Sequence, residues 1–111
     1  MELAIAVAVD AGNRSVLSLI GSLDLATRDL LKEKAAAALS AQEKQGLVLD
    51  LSEVTFFDSS GLGALVEVAG DVQDAGAPFA LRDPSDRVMR VLTIAGLTDA
   101  WPIENPSDSG G

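Results

Sequence analysis

One segment constrains the fold more than any other: VLDLSEVTFFDSSGLGALVEVAG, Val48 to Gly70. Leu47-Val48-Leu49-Asp50-Leu51 is almost all apolar, as expected of a central strand covered on both faces. Asp58-Ser59-Ser60-Gly61 follows as a polar break. Leu62, Leu65, Val66, Ala69 and Val72 then recur at the spacing of one helix stripe, and Gly76 supplies a stop. A buried strand that feeds straight into a helix belongs to a crossover unit, which joins parallel strands.

The flanking sequence supplies the rest of that sheet. Leu3, Ile5, Val7 and Val9 alternate with Ala4, Ala6 and Ala8, a two-residue period that predicts a strand with one bulky face. Ala11-Gly12-Asn13-Arg14 reads as a turn, and Ser15 to Ile20 as a second strand ended by Gly21, so the two form a hairpin. Ala26 to Gln45 is rich in helix formers, with Leu31, Ala35, Ala38 and Leu39 on one face and Gly46 as terminator. Pro78 to Leu81 is a short strand. Asp83 is the expected N-cap of a last helix, with Pro84 at its first helical position. Val88, Val91, Leu92 and Ala95 form that helix's core stripe, Gly96 ends it, and Trp101 to Ile103 adds a short strand. The expected architecture is a single α/β domain over residues 1–104, a mixed sheet opened by a hairpin and continued by parallel crossovers. Residues 105–111 form a polar, glycine-ended tail, expected to be mobile.

Composition removes whole classes of function. Asp and Glu number 17 against 8 Lys and Arg, a net charge of −9. Phosphate backbones and anionic lipid are bound through Lys and Arg, so neither nucleic acid nor an anionic membrane is an expected partner. Cysteine and histidine are both absent. That closes thiol chemistry, disulfides, His-ligated metal sites and the Ser-His-Asp triad. The apolar run Leu3–Val9 is too short for a secretion signal and follows Glu2 rather than a basic segment. No stretch approaches the roughly 18 apolar residues of a membrane span, so a cytoplasmic domain without cofactor or metal is expected.

Three readings of the serine pair stand side by side. Asp58, Ser59 or Ser60 could each cap the helix by accepting from free backbone N–H groups of its first turn. Catalysis by either serine lacks a base: no histidine exists and no GxSxG motif occurs. A phosphate-cradling loop is equally unsupported, since no lysine lies between Gln45 and Arg82. The third reading is covalent modification. A phosphate on a hydroxyl at a helix start adds about −1.5 to −2 charges, which the helix's positive end tolerates and an acidic partner does not.

The string Val48-Leu-Asp-Leu-Ser-Glu-Val-Thr-Phe-Phe-Asp-Ser-Ser-Gly-Leu-Gly63 resembles the signature of the STAS domain, in particular of the free-standing bacterial anti-sigma factor antagonists. Gly21-Ser-Leu-Asp24 is similar to that family's G-x-L-D element, and Val91 to Leu97 to its apolar helix ending in Gly-Leu. The resemblance spans roughly residues 3 to 103. It implies helices packed mainly on one face of the sheet. It also implies a transcription-regulating phosphoprotein, not an enzyme, that switches partners. Such a protein binds an anti-sigma factor serine kinase, frees the sigma factor, is phosphorylated by that kinase and is restored by a PP2C-type phosphatase. On this pattern Ser59 matches the phosphoacceptor, with Ser60 a secondary candidate. Asp24, Asp58, Ser59, Ser60 and Gly61 match the partner-binding surface, although Asp24 reads equally as the N-cap of the first helix. Leu62 matches a residue packed beneath the second helix. Ser22 stands where relatives often carry glutamate, one acid fewer on the implied contact surface. Related domains also imply two alternatives: a scaffold of a stress-sensing assembly, or a lipid-transport subunit without a phosphate cycle.

Overall fold

The computed structural model describes residues 2–42 and 45–105. The elements run β1 (Leu3–Val9), β2 (Ser15–Leu23), α1 (Arg28–Gln42), β3 (Leu47–Phe57), α2 (Ser59–Asp74), β4 (Phe79–Arg82), α3 (Asp86–Ala95) and β5 (Ile103–Glu104). They form one sheet in the order β1-β2-β3-β4-β5, antiparallel between β1 and β2 and parallel elsewhere. Each crossover steps to the neighbouring strand in the same direction. Right-handed connections of that kind put α1, α2 and α3 on one face. The main core agrees, joining Leu17, Leu19, Leu49 and Leu51 of the sheet to Leu31, Leu65 and Leu92 of the helices. The mixed sheet with one helical face is the architecture expected. The expected tail lies, apart from Asn105, outside the described residues, as do residues 43 and 44 of the expected first helix, whose last residue, Gln45, is a bend.

Several boundaries differ, each for a physical reason. Gly21 does not end β2; at φ 114° it sits where the β2–β3 register slips, and the strand continues to Leu23. A side chain there would run into the Glu2 carbonyl oxygen, so glycine lets the strand bulge rather than stop. Ala26 and Thr27 belong to a turn ahead of α1. β3 runs six residues past Leu51, to Phe57. Ser85, not Asp83, caps α3: its hydroxyl accepts from Val88 N and donates to Val54 O at 2.8 Å. Asp83 instead takes a positive φ of 45° and donates its N–H to Glu104 O. On α2 the buried face is Gly61, Ala64, Leu65, Val68, Ala69 and Val72; Leu62 is partly buried against the core and Val66 is 45% exposed. The expected stripe is thus rotated by a fraction of a turn, since Val66 and Val68 are equally apolar and only packing selects between them. In α3, Val88 and Leu92 are buried whereas Ala95 is exposed. Trp101 precedes β5 and meets Phe79 edge-on, with centroids 5.9 Å apart.

Among the described residues no helix covers the opposite face of the sheet, yet Val48 is fully buried there between Val16 and Ala80. Strand register places these three in one row. Charged side chains link the hairpin to the far edge of the sheet. Arg14 stretches from the hairpin to Glu104 on β5 (2.7 and 3.0 Å) while also holding Asp10 at 2.8 Å, and Arg82 approaches both acids at 3.4 Å. Arg stems bury apolar surface while the guanidinium stays paired. On β1, an edge strand, Val7 and Val9 are more than half exposed, so the bulky face expected there is covered only at Leu3 and Ile5.

Candidate functional site

Register builds the site. Leu23 and Phe57 are paired at the ends of parallel strands β2 and β3. The next residues, Asp24 and Asp58, therefore leave the sheet side by side at its carboxyl edge, where open α/β sheets present their binding surfaces. Asp58 has extended backbone (φ −125°, ψ −169°), and its Oδ1 accepts from Gly61 N at 3.0 Å. The three-way choice of cap is thereby resolved in favour of the aspartate. Ser59, first residue of α2, is exposed, and its hydroxyl makes no hydrogen bond to any described residue. Ser60 is half-buried and Gly61 buried. A Cβ on Gly61 would strike the Leu23 carbonyl oxygen and come within 3.1 Å of the Phe57 ring. Gly61 is thus the point where the α2 start rests directly on the end of β2, and it brings Asp24 to the serine pair.

Asp24 organises the turn before α1. Its Oδ1 accepts from Ala26 N at 3.0 Å and Thr27 N at 3.1 Å, while Thr27 Oγ1 accepts from Asp24 N at 3.0 Å. The Thr27 hydroxyl proton goes to Ser22 O, 2.8 Å away. These reciprocal bonds satisfy backbone donors at the helix entry much as a capping box does. The capping role foreseen for Asp24 is therefore real, displaced by the turn that precedes the helix. Ser22 itself is 5% exposed, so its own side chain is buried beneath this turn.

Three neighbours escaped the sequence reading. Leu25, next to Asp24, is 64% exposed. Phe56 is half-buried beneath Arg87, whose guanidinium carbon lies 5.0 Å from the ring centroid. The same Arg87 donates from Nε to Phe57 O at 3.4 Å. An exposed leucine gave a weak local signal as an apolar residue before the helix stripe. Arg87 gave none, because its place beside the end of β3 exists only after two crossovers have closed. Among the described residues, no group of three or more acidic side chains is arranged to hold a metal ion. No helix among them is long and apolar enough to cross a membrane.

The surface formed by these groups is an exposed hydroxyl flanked by two carboxylates, each tied to local backbone. Each aspartate makes these bonds through Oδ1.

Comparisons with known proteins place the chain among relatives. A family described as "Mlab, STAS domain" matches residues 7–104. The anti-sigma-B factor antagonist of Listeria monocytogenes is 37% identical over 87 residues, covering 77% of this chain and 74% of the relative. The solved anti-sigma factor antagonist SpoIIAA in its unphosphorylated form superposes with a TM-score of 0.76 at 20% identity, covering 96% of this chain and 92% of that one. The phosphorylated form of the Bacillus cell fate determinant SpoIIAA superposes at 0.71 and 19% identity, covering 96% of each chain.

Proposed function

The chain belongs to the STAS domain family, and from that premise we propose that it is an anti-sigma factor antagonist whose docking is switched by phosphorylation of Ser59. One observation carries the reading: the Ser59 hydroxyl is exposed at the head of α2 while Asp58 does the capping. A capping serine would have been occupied by backbone N–H groups; this one is left for chemistry. The name of the Listeria relative supplies the partner class, an anti-sigma factor, and SpoIIAA occurs in phosphorylated and unphosphorylated forms.

In this scheme the partner is both anti-sigma factor and serine kinase. Unmodified chain docks through the Asp24, Asp58, Ser59, Ser60 and Gly61 surface and displaces the sigma factor. The kinase then transfers the γ-phosphoryl group of ATP: a bond forms between Ser59 Oγ and phosphorus, the bond to ADP breaks, and the hydroxyl proton leaves to solvent or to a base on the kinase. The added charge of about −1.5 to −2 lies beside Asp24 and Asp58 on a chain that is already strongly acidic. Repulsion and the cost of desolvating the phosphate oppose renewed docking. A PP2C-type phosphatase adds water across the O–P bond, releases inorganic phosphate and restores the hydroxyl. The chain is substrate and switch, not enzyme, and a cytoplasmic location goes with an ATP-dependent cycle.

Incubating the protein with serine-kinase anti-sigma factors and ATP, followed by mass spectrometry, should place one phosphate on Ser59. Ser59→Ala should bind the kinase and stay unlabelled. Ser59→Asp should lose at least tenfold in affinity with an unchanged circular dichroism spectrum; undiminished binding would remove the switch. A label on Ser60 in the Ser59→Ala chain would move the acceptor by one residue. A stress-assembly scaffold would take up phosphate without releasing a sigma factor. A lipid-transport subunit would leave both serines unmodified.

A further inference from the structure

We propose that Arg87, at the start of α3, is the residue that receives the phosphoryl group on Ser59; this inference rests on the proposed modification of that serine. Two contacts fix the guanidinium: Nε donates to Phe57 O at 3.4 Å, and Cζ stacks 5.0 Å from the Phe56 ring centroid. Phe57 lies two residues before Ser59, at most about 7 Å along the chain between Cα atoms. An arginine fixed beside Phe57 O is therefore within side-chain reach of the helix start.

Its bonding is incomplete in an informative way. A guanidinium carries five N–H donors in a rigid fork. Among the described residues only Nε has an acceptor, and Arg87 forms no ion pair, although Asp58, Asp83 and Asp86 are close in sequence or structure. Arg14 and Arg82 behave differently, each sharing Asp10 and Glu104. Arg87 thus presents both Nη groups to solvent, on a stem pre-oriented by an aromatic ring and a carbonyl. Planar, pre-oriented N–H pairs match phosphate oxygens bidentately. The unmodified serine offers them one neutral oxygen; the phosphoserine offers three charged ones. Arg87 therefore distinguishes the two states within this chain and draws the modified side chain towards α3, away from Asp24.

The test needs neither kinase nor phosphatase. Phosphoserine is installed at position 59 during translation, and its second ionisation is followed by phosphorus NMR in the otherwise natural chain, in Arg87→Gln and in Arg90→Gln. Arg90 is exposed one turn further along α3 and supplies the same change in net charge. A guanidinium in contact favours the dianion, so the midpoint in the natural chain should lie about 0.5 pH below that in Arg87→Gln, with Arg90→Gln close to the natural chain. Equal midpoints in the natural chain and Arg87→Gln would overturn the inference, as would equal displacements in both variants. Failure of the switch itself is read separately, as phosphoserine chain that still binds the kinase at full affinity.

Discussion

Two glycines of one motif have opposite physical meanings. A methyl group on Gly61 would meet the Leu23 carbonyl oxygen and the Phe57 ring, whereas at Gly63 it would meet nothing within 4 Å. Gly61→Ala should therefore cost about 1–3 kcal/mol, because a backbone carbonyl has little freedom to yield. It should also separate the Asp24 turn from the α2 start and weaken partner binding. Gly63→Ala, in an exposed helical turn, should instead stabilise the chain by about 0.5–1 kcal/mol through helix propensity. Urea unfolding of both variants checks the signs; a neutral Gly61→Ala would mean that the two loops are not in contact. The aspartate–serine division of labour belongs to the same scale. One side chain caps, and its exposed neighbour is the proposed acceptor.

At the scale of elements, α3 is held to the sheet by its cap. Ser85 accepts from Val88 N and also donates to Val54 O, and its own N–H bonds Leu51 O. Ser85→Ala should cost about 1 kcal/mol by loss of the cap and loosen the helix that carries Arg87, measurable as faster amide exchange along α3. The two-residue strand β5 depends on a different device. The Arg14 guanidinium, bonded to Glu104, holds that carboxyl below its ordinary value of 4.5 against the opposing effect of burial. For Asp10, burial pushes upward but is outweighed by the Arg14 N–H and guanidinium, so it too lies below its ordinary 3.8. Depressed carboxylates stabilise the fold above their unfolded values, and the contribution disappears as pH falls through the folded ones. Glu104→Gln should therefore be less stable than the natural chain by about 0.5–1 kcal/mol at pH 7, a partly exposed pair being screened. The gap should close as pH falls below about 4.5. Urea midpoints at pH 7, 5 and 4 test this, and a gap independent of pH would assign the loss to packing.

At the scale of the molecule, the core and the proposed switch are separate. Helices, sheet and apolar core lie on one side of the junction residues, and exposed Ser59 stands at the carboxyl edge, so the proposed phosphate would add charge without entering the core. The sequence by itself determined the element order, the hairpin and the junction. Apolar period and turn residues are local properties, and a parallel sheet of consecutive neighbours leaves right-handed crossovers only one face to occupy. The resemblance of a contiguous string points to Ser59 as the proposed acceptor. Tertiary structure alone decided which polar side chain caps α2, which of Val66 and Val68 turns inward, and that Gly21 bulges a strand rather than ending it. It alone set Arg87 beside Phe56 and Phe57, and Arg14 against Glu104. The reason is contact distance: residues 30 or 90 positions apart leave no periodic trace in the chain, and their pairing exists only once strand register has fixed where each element ends.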